Sequence, residues 1–178
     1  ARRVALGRGP DGLALLADHE SPSLAQLLHP VGKDSDNFYA EMILKAIGAR
    51  RATPATSARG AEVCQSVLER AGVPRGAATI VNGSGLFEGN RIAPRHLVQL
   101  LGYVYQDPRV RAEYLAHLAI GGVDGTLRRR FADLPGGVIV RAKTGTLNDA
   151  ISLSGYVIAG GERERVVRFS YLANGIRG

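Results

Sequence analysis

The sequence predicts a single α+β domain spanning residues 1–178, with helices first and an antiparallel sheet built late in the chain. Three observations carry this. Apolar residues recur at helical spacing in successive segments between residues 23 and 118. After Pro135-Gly136-Gly137 the periodicity switches to two. The chain has 178 residues, 45% apolar and 22% charged, which is enough for one domain with its own core, and it shows no internal repeat or low-complexity tract.

Residues 12–17 form a short apolar run that reads as a strand, and residues 18–22 as a turn. A short helix follows over 23–29, with Leu24, Leu27 and Leu28 on one face. Residues 38–47 make a stronger helix with two apolar rows, Phe38-Met42-Ala46 and Tyr39-Ile43-Ile47, and Gly48 as its C-cap. Residues 50–60 read as a loop rich in Thr, Pro, Ala and Arg. The next helix runs over 61–71 and is closed by Gly72 with Pro74 beyond. Ile80-Val81 reads as a short strand ending in a tight turn at 82–85, where two glycines permit positive φ. Pro94 opens a helix carrying Leu97, Leu100, Leu101 and Val104, and another helix follows over 109–118. Residues 121–127 form a glycine-rich bend. Residues 138–143, 151–159 and 166–173 read as three strands, the last two joined through Gly160-Gly161 and a charged turn.

The net charge of +7 raises nucleic-acid binding. Against it, the basic residues are spread along the chain, only Arg128-Arg129-Arg130 makes a run, and aromatic residues do not interleave with them. Strong salt-dependent DNA binding would revive that reading. A basic surface suits an anionic polymer equally well. No apolar run approaches the length of a membrane span, and residues 1–9 carry arginines without the apolar stretch of a leader peptide. The first residue is not Met, so an upstream start is expected. The one cysteine, Cys64, excludes an internal disulfide and reads as a buried thiol. His19, His29, His96 and His117 match no metal spacing, so no metal and no cofactor is expected.

Two short motifs carry chemistry. Lys143-Thr144-Gly145-Thr146 stands where the strand pattern begins, offering a cation, two hydroxyls and a bare backbone beside which an extended peptide can add. Its cation would attract a carboxylate terminus, with Thr144 or Thr146 hydrogen-bonding it. The plain alternative is a surface lysine at a turn. Ser35-Asp36-Asn37 heads the helix over 38–47, where all three residue types make good N-caps. Functionally, Ser35 could pass a proton and Asn37 could hold an amide through its donor and acceptor. The two motifs lie 143 − 35 = 108 residues apart. Ser-x-Asn and Lys-Thr-Gly in this order are two of three signatures of serine enzymes that handle penicillin or D-alanyl peptides. The third, Ser-x-x-Lys, does not occur within the 178 residues.

Around these motifs the chain resembles the class C penicillin-binding proteins, the D-alanyl-D-alanine carboxypeptidase/endopeptidase family. The resemblance rests on residues 35–42, on Asn82-Gly83-Ser84-Gly85-Leu86 with Asn90-Arg91-Ile92 and Pro94-Arg95, on residues 122–127, on residues 143–147 and on Gly155-Tyr156-Val157. It extends from about Leu16 to Asn174. It implies a β-lactamase/transpeptidase-like fold, an antiparallel sheet of five strands against a helical lobe, incomplete in this chain. It also implies a serine-type reaction: acyl transfer from a D-Ala-D-Ala stem peptide of peptidoglycan to an active serine and then to water. β-Lactams would acylate the same serine. In that scheme Ser35, Asn37 and Lys143 are catalytic, and Thr144, Gly145 and Thr146 bind substrate. A backbone donor near Thr146 would help form the oxyanion hole. The resemblance places the protein in the periplasm or elsewhere outside the cytoplasmic membrane.

The departures are as informative. The nucleophile segment belongs N-terminal to the segment where this chain starts, so the implied partner is a missing N-terminal segment of the same protein. The chain alone is then expected to be inactive, and the late strands are expected to expose an apolar face or to receive a companion segment. Asn82 stands where the family has Asp, which puts a local hydrogen bond in question. A non-catalytic relative that holds cell-wall peptides is the alternative function. A class A β-lactamase fits less well, because no Glu-x-x-Leu-Asn is present and Glu69 reads as a helix end. The whole reading requires Ser35, Asn37 and Lys143 to meet in one cleft.

Overall fold

Ser23 starts the first helix with a capping box: its hydroxyl accepts the Gln26 N–H, and Gln26 Oε1 accepts the Ser23 N–H at 2.9 Å. The computed structural model describes residues 17–161 and 164–176 apart from Glu88, together with Gly12 and Ala14. The strand expected over 12–17 therefore lies mostly outside the described residues, as do Glu162 and Arg163 of the last turn. Helix α1 (Leu24–Asp34) runs five residues beyond the helix expected over 23–29 and carries Pro30 internally. Proline removes one helical bond, and tertiary contacts hold the following turn. Gly32 lies so close to α5 (Arg111–His117) that a Cβ there would stand 2.1 Å from the His117 carbonyl oxygen.

Helix α2 (Asn37–Ala49) is capped by Asp36, whose carboxylate accepts the Tyr39 N–H at 2.9 Å. Gly48 is not its C-cap; it lies inside the helix and serves packing instead. Helix α3 (Ser57–Arg70) begins four residues earlier than the apolar pattern indicates, because Thr56 caps it. A Cβ on Gly48 would lie 2.6 Å from the Thr56 oxygen, and one on Gly60 2.0 Å from the Leu44 oxygen. The two glycines let α2 and α3 approach backbone to backbone. The end of α3 is a Schellman motif: Gly72 (φ 88°) donates to the Glu69 carbonyl, Val73 donates to Leu68, and the Leu68 and Val73 side chains pack together.

The expected strand at Ile80-Val81 sits earlier, as β1 (Ala78–Thr79) paired with β2 (Arg91–Ile92). Val81 leaves the ladder because its N–H is taken by Asn90 Oδ1 at 2.7 Å. Helix α4 (Pro94–Gln106) has proline in its first turn as expected. Helix α5 is shorter than its pattern, since Asp107 binds Arg109 and turns the chain before it.

The main sheet has the order β3-β4-β5-β6, with β3 (Ala119–Ile120), β4 (Val138–Thr146), β5 (Ala150–Ala159) and β6 (Arg165–Asn174), all antiparallel. Four strands are thus described where the resemblance implied five. Strand β3, only two residues long, has no periodicity to reveal it. A 3₁₀ turn (Gly125–Leu127) follows it.

Alternation along the strands gives the sheet two faces. On one, Tyr156, Ile158 and Val166 pack against Leu101, Tyr105, Tyr114, Leu115 and Leu118 of the helices, and the Tyr156 hydroxyl donates to the Leu101 carbonyl at 2.8 Å. On the other, Val140, Ala142, Leu153, Val157 and Phe169 pack against Leu127, Phe131 and Leu134. That cover is partial: Ile151, Val167 and Tyr171 on the same face are exposed, Val167 at 61%. No helix among the described residues is long and apolar enough to cross a membrane.

Candidate functional site

Ser35 stands at the junction of two helices. It is the C-cap of α1, in the left-handed region at φ 60°, and its N–H returns to the Pro30 carbonyl. A non-glycine residue held there is strained, and such strain tends to collect at functional positions. Asp36 then caps α2. The N-cap role within Ser-Asp-Asn thus falls to Asp36.

Lys143 lies on the helix-facing side of β4, in register with Ser154 and, beyond it, Ser170. Its ammonium donates to Ser35 Oγ across 108 residues of chain and to the Thr144 carbonyl at 2.6 Å. Burial pushes its pKa below that of an ordinary lysine. Asn37 is exposed in the first turn of α2, two residues from Ser35. The structure thus brings the side chains of Ser35 and Lys143 into contact and carries Asn37 beside them on the backbone.

Strand β3 pairs with β4 only at Arg141 and Ala142. Among the described residues no strand pairs with residues 143–146 on the side away from β5, so this stretch is an open edge of the kind that an extended peptide extends. Gly145 has a second reason to be glycine: a Cβ there would lie 2.4 Å from Ser152 Oγ. Thr144 projects to the opposite face from Lys143, where its hydroxyl donates to Thr126 Oγ1 at 2.8 Å. Thr146 is exposed at the strand's end. Beside Lys143, on the helix side, a cavity of about 250 Å³ is lined by Leu97, Leu100, Leu101 and Leu172 with Ser152 and Ser154.

Three site neighbours escaped the reading of the sequence. Lys33, buried two residues before Ser35, donates to Asp124 Oδ2 and to the Leu118 carbonyl, both at 2.7 Å. Asp124 Oδ1 accepts the Ile120 N–H at 2.7 Å. Burial opposes ionisation of Asp124, but the bonds from Lys33 and Ile120 and the charges of Lys33 and Arg141 outweigh it and lower its pKa. Thr126 is the third. The only signal was that Asp124 and Thr126 fall in the segment 122–127, to which no role could be attached. Glu41 clamps the 82–85 turn to α2, its Oε1 accepting from Gly83 N, Ser84 N and Ser84 Oγ at 2.8–3.0 Å. Burial would raise its pKa, and the Ser84 and Gly83 donors more than reverse this.

At Asn82 the questioned hydrogen bond is kept. Its Oδ1 accepts the Gly85 N–H at 2.7 Å, while its Nδ2 donates to the Phe87 carbonyl at 3.1 Å, a bond that a carboxylate could not make. Cys64 is half-buried, with its thiol pKa raised by burial. Glu69 is bound to Arg75 at 3.1 Å, at the end of α3. Among the described residues no group of His, Cys, Asp and Glu is arranged to hold a metal.

A lysine on the open end of β4, bonded to a serine at a helix junction, sets the site between the antiparallel sheet and the helices of an α+β protein, the arrangement of a transpeptidase-like domain. The chain belongs to the D-Ala-D-Ala carboxypeptidase 3 (S13) family, whose model matches residues 2–178. It is 36% identical over 169 residues to the D-alanyl-D-alanine carboxypeptidase of Actinomadura sp. (strain R39), covering 92% of this chain and 31% of that protein. It is 34% identical over 165 residues to penicillin-sensitive carboxypeptidase A of Dictyostelium discoideum, covering 86% of this chain and 30% of that one. The crystal structure of penicillin binding protein 4 from Haemophilus influenzae, complexed with a β-lactam, superposes with a TM-score of 0.78 at 31% identity, covering 96% of this chain and 40% of that chain. The chain therefore spans about a third of the length of these relatives.

Proposed function

We propose that this chain is the Lys-Thr-Gly half of the site of a serine-type D-Ala-D-Ala carboxypeptidase acting on peptidoglycan stem peptides outside the cytoplasmic membrane. The nucleophile comes from a Ser-x-x-Lys segment of the same protein, outside these 178 residues. The observation that carries the proposal is the bond from Lys143 Nζ to Ser35 Oγ. In the reaction the nucleophile's oxygen bonds to the carbonyl carbon of the penultimate D-alanine, and the C–N bond to the last D-alanine breaks. Ser35 Oγ relays a proton to the leaving nitrogen, and water then hydrolyses the ester. Lys143 holds Ser35 in place and, with Thr146, draws the terminal carboxylate, whereas Thr144, turned toward Thr126, is withdrawn from the expected substrate contacts; Asn37 binds the substrate amide; Gly145 lets the peptide lie along the open edge. The cavity beside Lys143 supports a seat for the nucleophile segment, because leucines and two serine hydroxyls line it next to the reacting groups.

Labelling with a fluorescent penicillin tests this. The 178-residue chain alone takes no covalent label and does not turn over a D-Ala-D-Ala peptide; a longer polypeptide that includes the Ser-x-x-Lys segment does both. In that polypeptide Ser35→Ala lowers the acylation rate by about 10²–10⁴, the worth of a positioned proton relay. Reversible binding of D-Ala-D-Ala peptide by the longer protein, with no acylation, would make it a holder of cell-wall peptides instead. Turnover by the short chain would refute the missing-nucleophile reading.

A further inference from the structure

We propose that the Asp124-Gly125-Thr126 turn is a brace that sets the reach between Ser35 and Lys143, with Lys33, Asp124 and Thr126 as positioning residues. The inference rests on the reading above for why that reach matters. The turn is tied on both sides of the pair. On the helix side Asp124 bonds Lys33, two residues before Ser35, and Lys33 also bonds the Leu118 carbonyl. Gly125 presses against the same stretch: at φ 53° a Cβ on it would lie 2.4 Å from the Lys33 carbonyl oxygen. On the strand side Thr126 Oγ1 accepts the hydroxyl of Thr144, the residue after Lys143. Asp124 also accepts the Ile120 N–H, which fastens the brace to β3, itself paired with β4 at Arg141 and Ala142.

The chemistry of the brace points the same way. Burying the Lys33 ammonium against a partly exposed Asp124 is a poor device for stability alone, since desolvating a charge offsets much of what its partner returns. It does fix geometry, because Lys33 is held by two acceptors in different directions and Asp124 by donors from two elements. Ser35 has no such tie of its own to the turn. Its place follows from the end of α1, which Lys33 and Gly125 define.

The test uses the three lysines of this chain, Lys33, Lys45 and Lys143, which give three resolvable side-chain signals in an NMR spectrum of lysine labelled at Cε. In the unaltered chain Lys143, half-buried against Ser35, titrates below the ordinary range of a lysine. Thr126→Val, which keeps shape and removes the hydroxyl, moves the Lys143 signal and raises its midpoint as the site loosens; Thr126→Ser restores both. Asp124→Asn moves Lys143 further and leaves Lys45 in place. In the acylating longer protein the same two variants lower the acylation rate about tenfold or more, as misplacement of reacting groups does. If Thr126→Val, with circular dichroism and melting temperature unchanged, leaves the Lys143 signal and midpoint where they were, the brace is overturned, whether or not Asp124→Asn folds. The NMR readout does not depend on catalysis, so failure of the carboxypeptidase reading and failure of the brace are separable.

Discussion

The two faces of the main sheet are made of alternate residues from the same strands, yet they end in opposite states. The helix-facing side closes around a fully buried Tyr156, whose hydroxyl has its acceptor, and it presents Lys143 to Ser35. The outward side is covered at its centre by Leu127, Phe131 and Leu134 and then runs out into exposed Ile151, Val167 and Tyr171. A strand pattern says which residues share a face. Whether a face is covered depends on what docks there: the helix-facing side leaves only Ile139 of its large apolar residues exposed among the described residues, while the outward side leaves three.

The largest effect expected from that asymmetry is in two tyrosines of β5 and β6. Tyr156→Ala removes a fully buried ring together with its hydrogen bond to the Leu101 carbonyl, and should cost about 3–5 kcal/mol in a denaturant melt. Tyr171→Ala should stay within about 0.5 kcal/mol in this chain. In a longer protein whose additional segment lies on the outward face, the Tyr171 cost should rise, and a value that stays near zero there would mean that the face remains open. Next comes Gly155, under the covered part of the outward face, where a Cβ would lie 2.1 Å from the Arg141 oxygen and 2.6 Å from Ala142. Gly155→Ala should destabilise by about 1–3 kcal/mol, because backbone at that distance cannot yield. Val167→Thr, on the open part, should be close to neutral by the same measurement.

The smallest effect is in acid, and it belongs to the helix side. The Glu41 and Asp124 carboxyls have pKa values lowered from the ordinary 4.5 and 3.8. A carboxyl whose folded pKa lies below its unfolded one contributes stability above the unfolded value, and that contribution is lost as pH falls through the folded value. Amide exchange in α1 and α2 should therefore accelerate as pH drops below the ordinary carboxylate range, earlier than in β5 and β6, after correction for intrinsic rates. Glu41→Gln should remove the part of that acid response that belongs to α2. Equal acid sensitivity of the sheet and the helices would remove the distinction.

Much of this architecture is visible in short-range pattern. The helices beginning near Phe38 and Pro94, the Gly72 stop and the three long strands follow from period, cap and breaker, which act within a few residues. Ser-Asp-Asn and Lys-Thr-Gly were legible because their residue types are scarce and ordered; the chain has only three lysines. The misreadings share one cause. The helix expected over 23–29 runs on to Asp34, because Lys33 and Gly32 hold its last turn through contacts with distant segments. Gly48 was read as a stop, although it is a point of contact with α3. Strand β3 and the Asp124–Lys33 pair have no local signature, because each exists through a partner far along the chain.

Sequence alone set most of the helices, the three long strands and the cast of groups able to do acyl-transfer chemistry, because propensity and side-chain chemistry are properties of neighbouring residues. Folding in three dimensions decided that Lys143 reaches Ser35, that Thr144 turns away toward Thr126, and that one sheet face is more fully covered than the other. Those outcomes depend on packed contacts between segments as much as 108 residues apart, where burial, close backbone approach and paired charge choose among geometries that the same local pattern would equally permit.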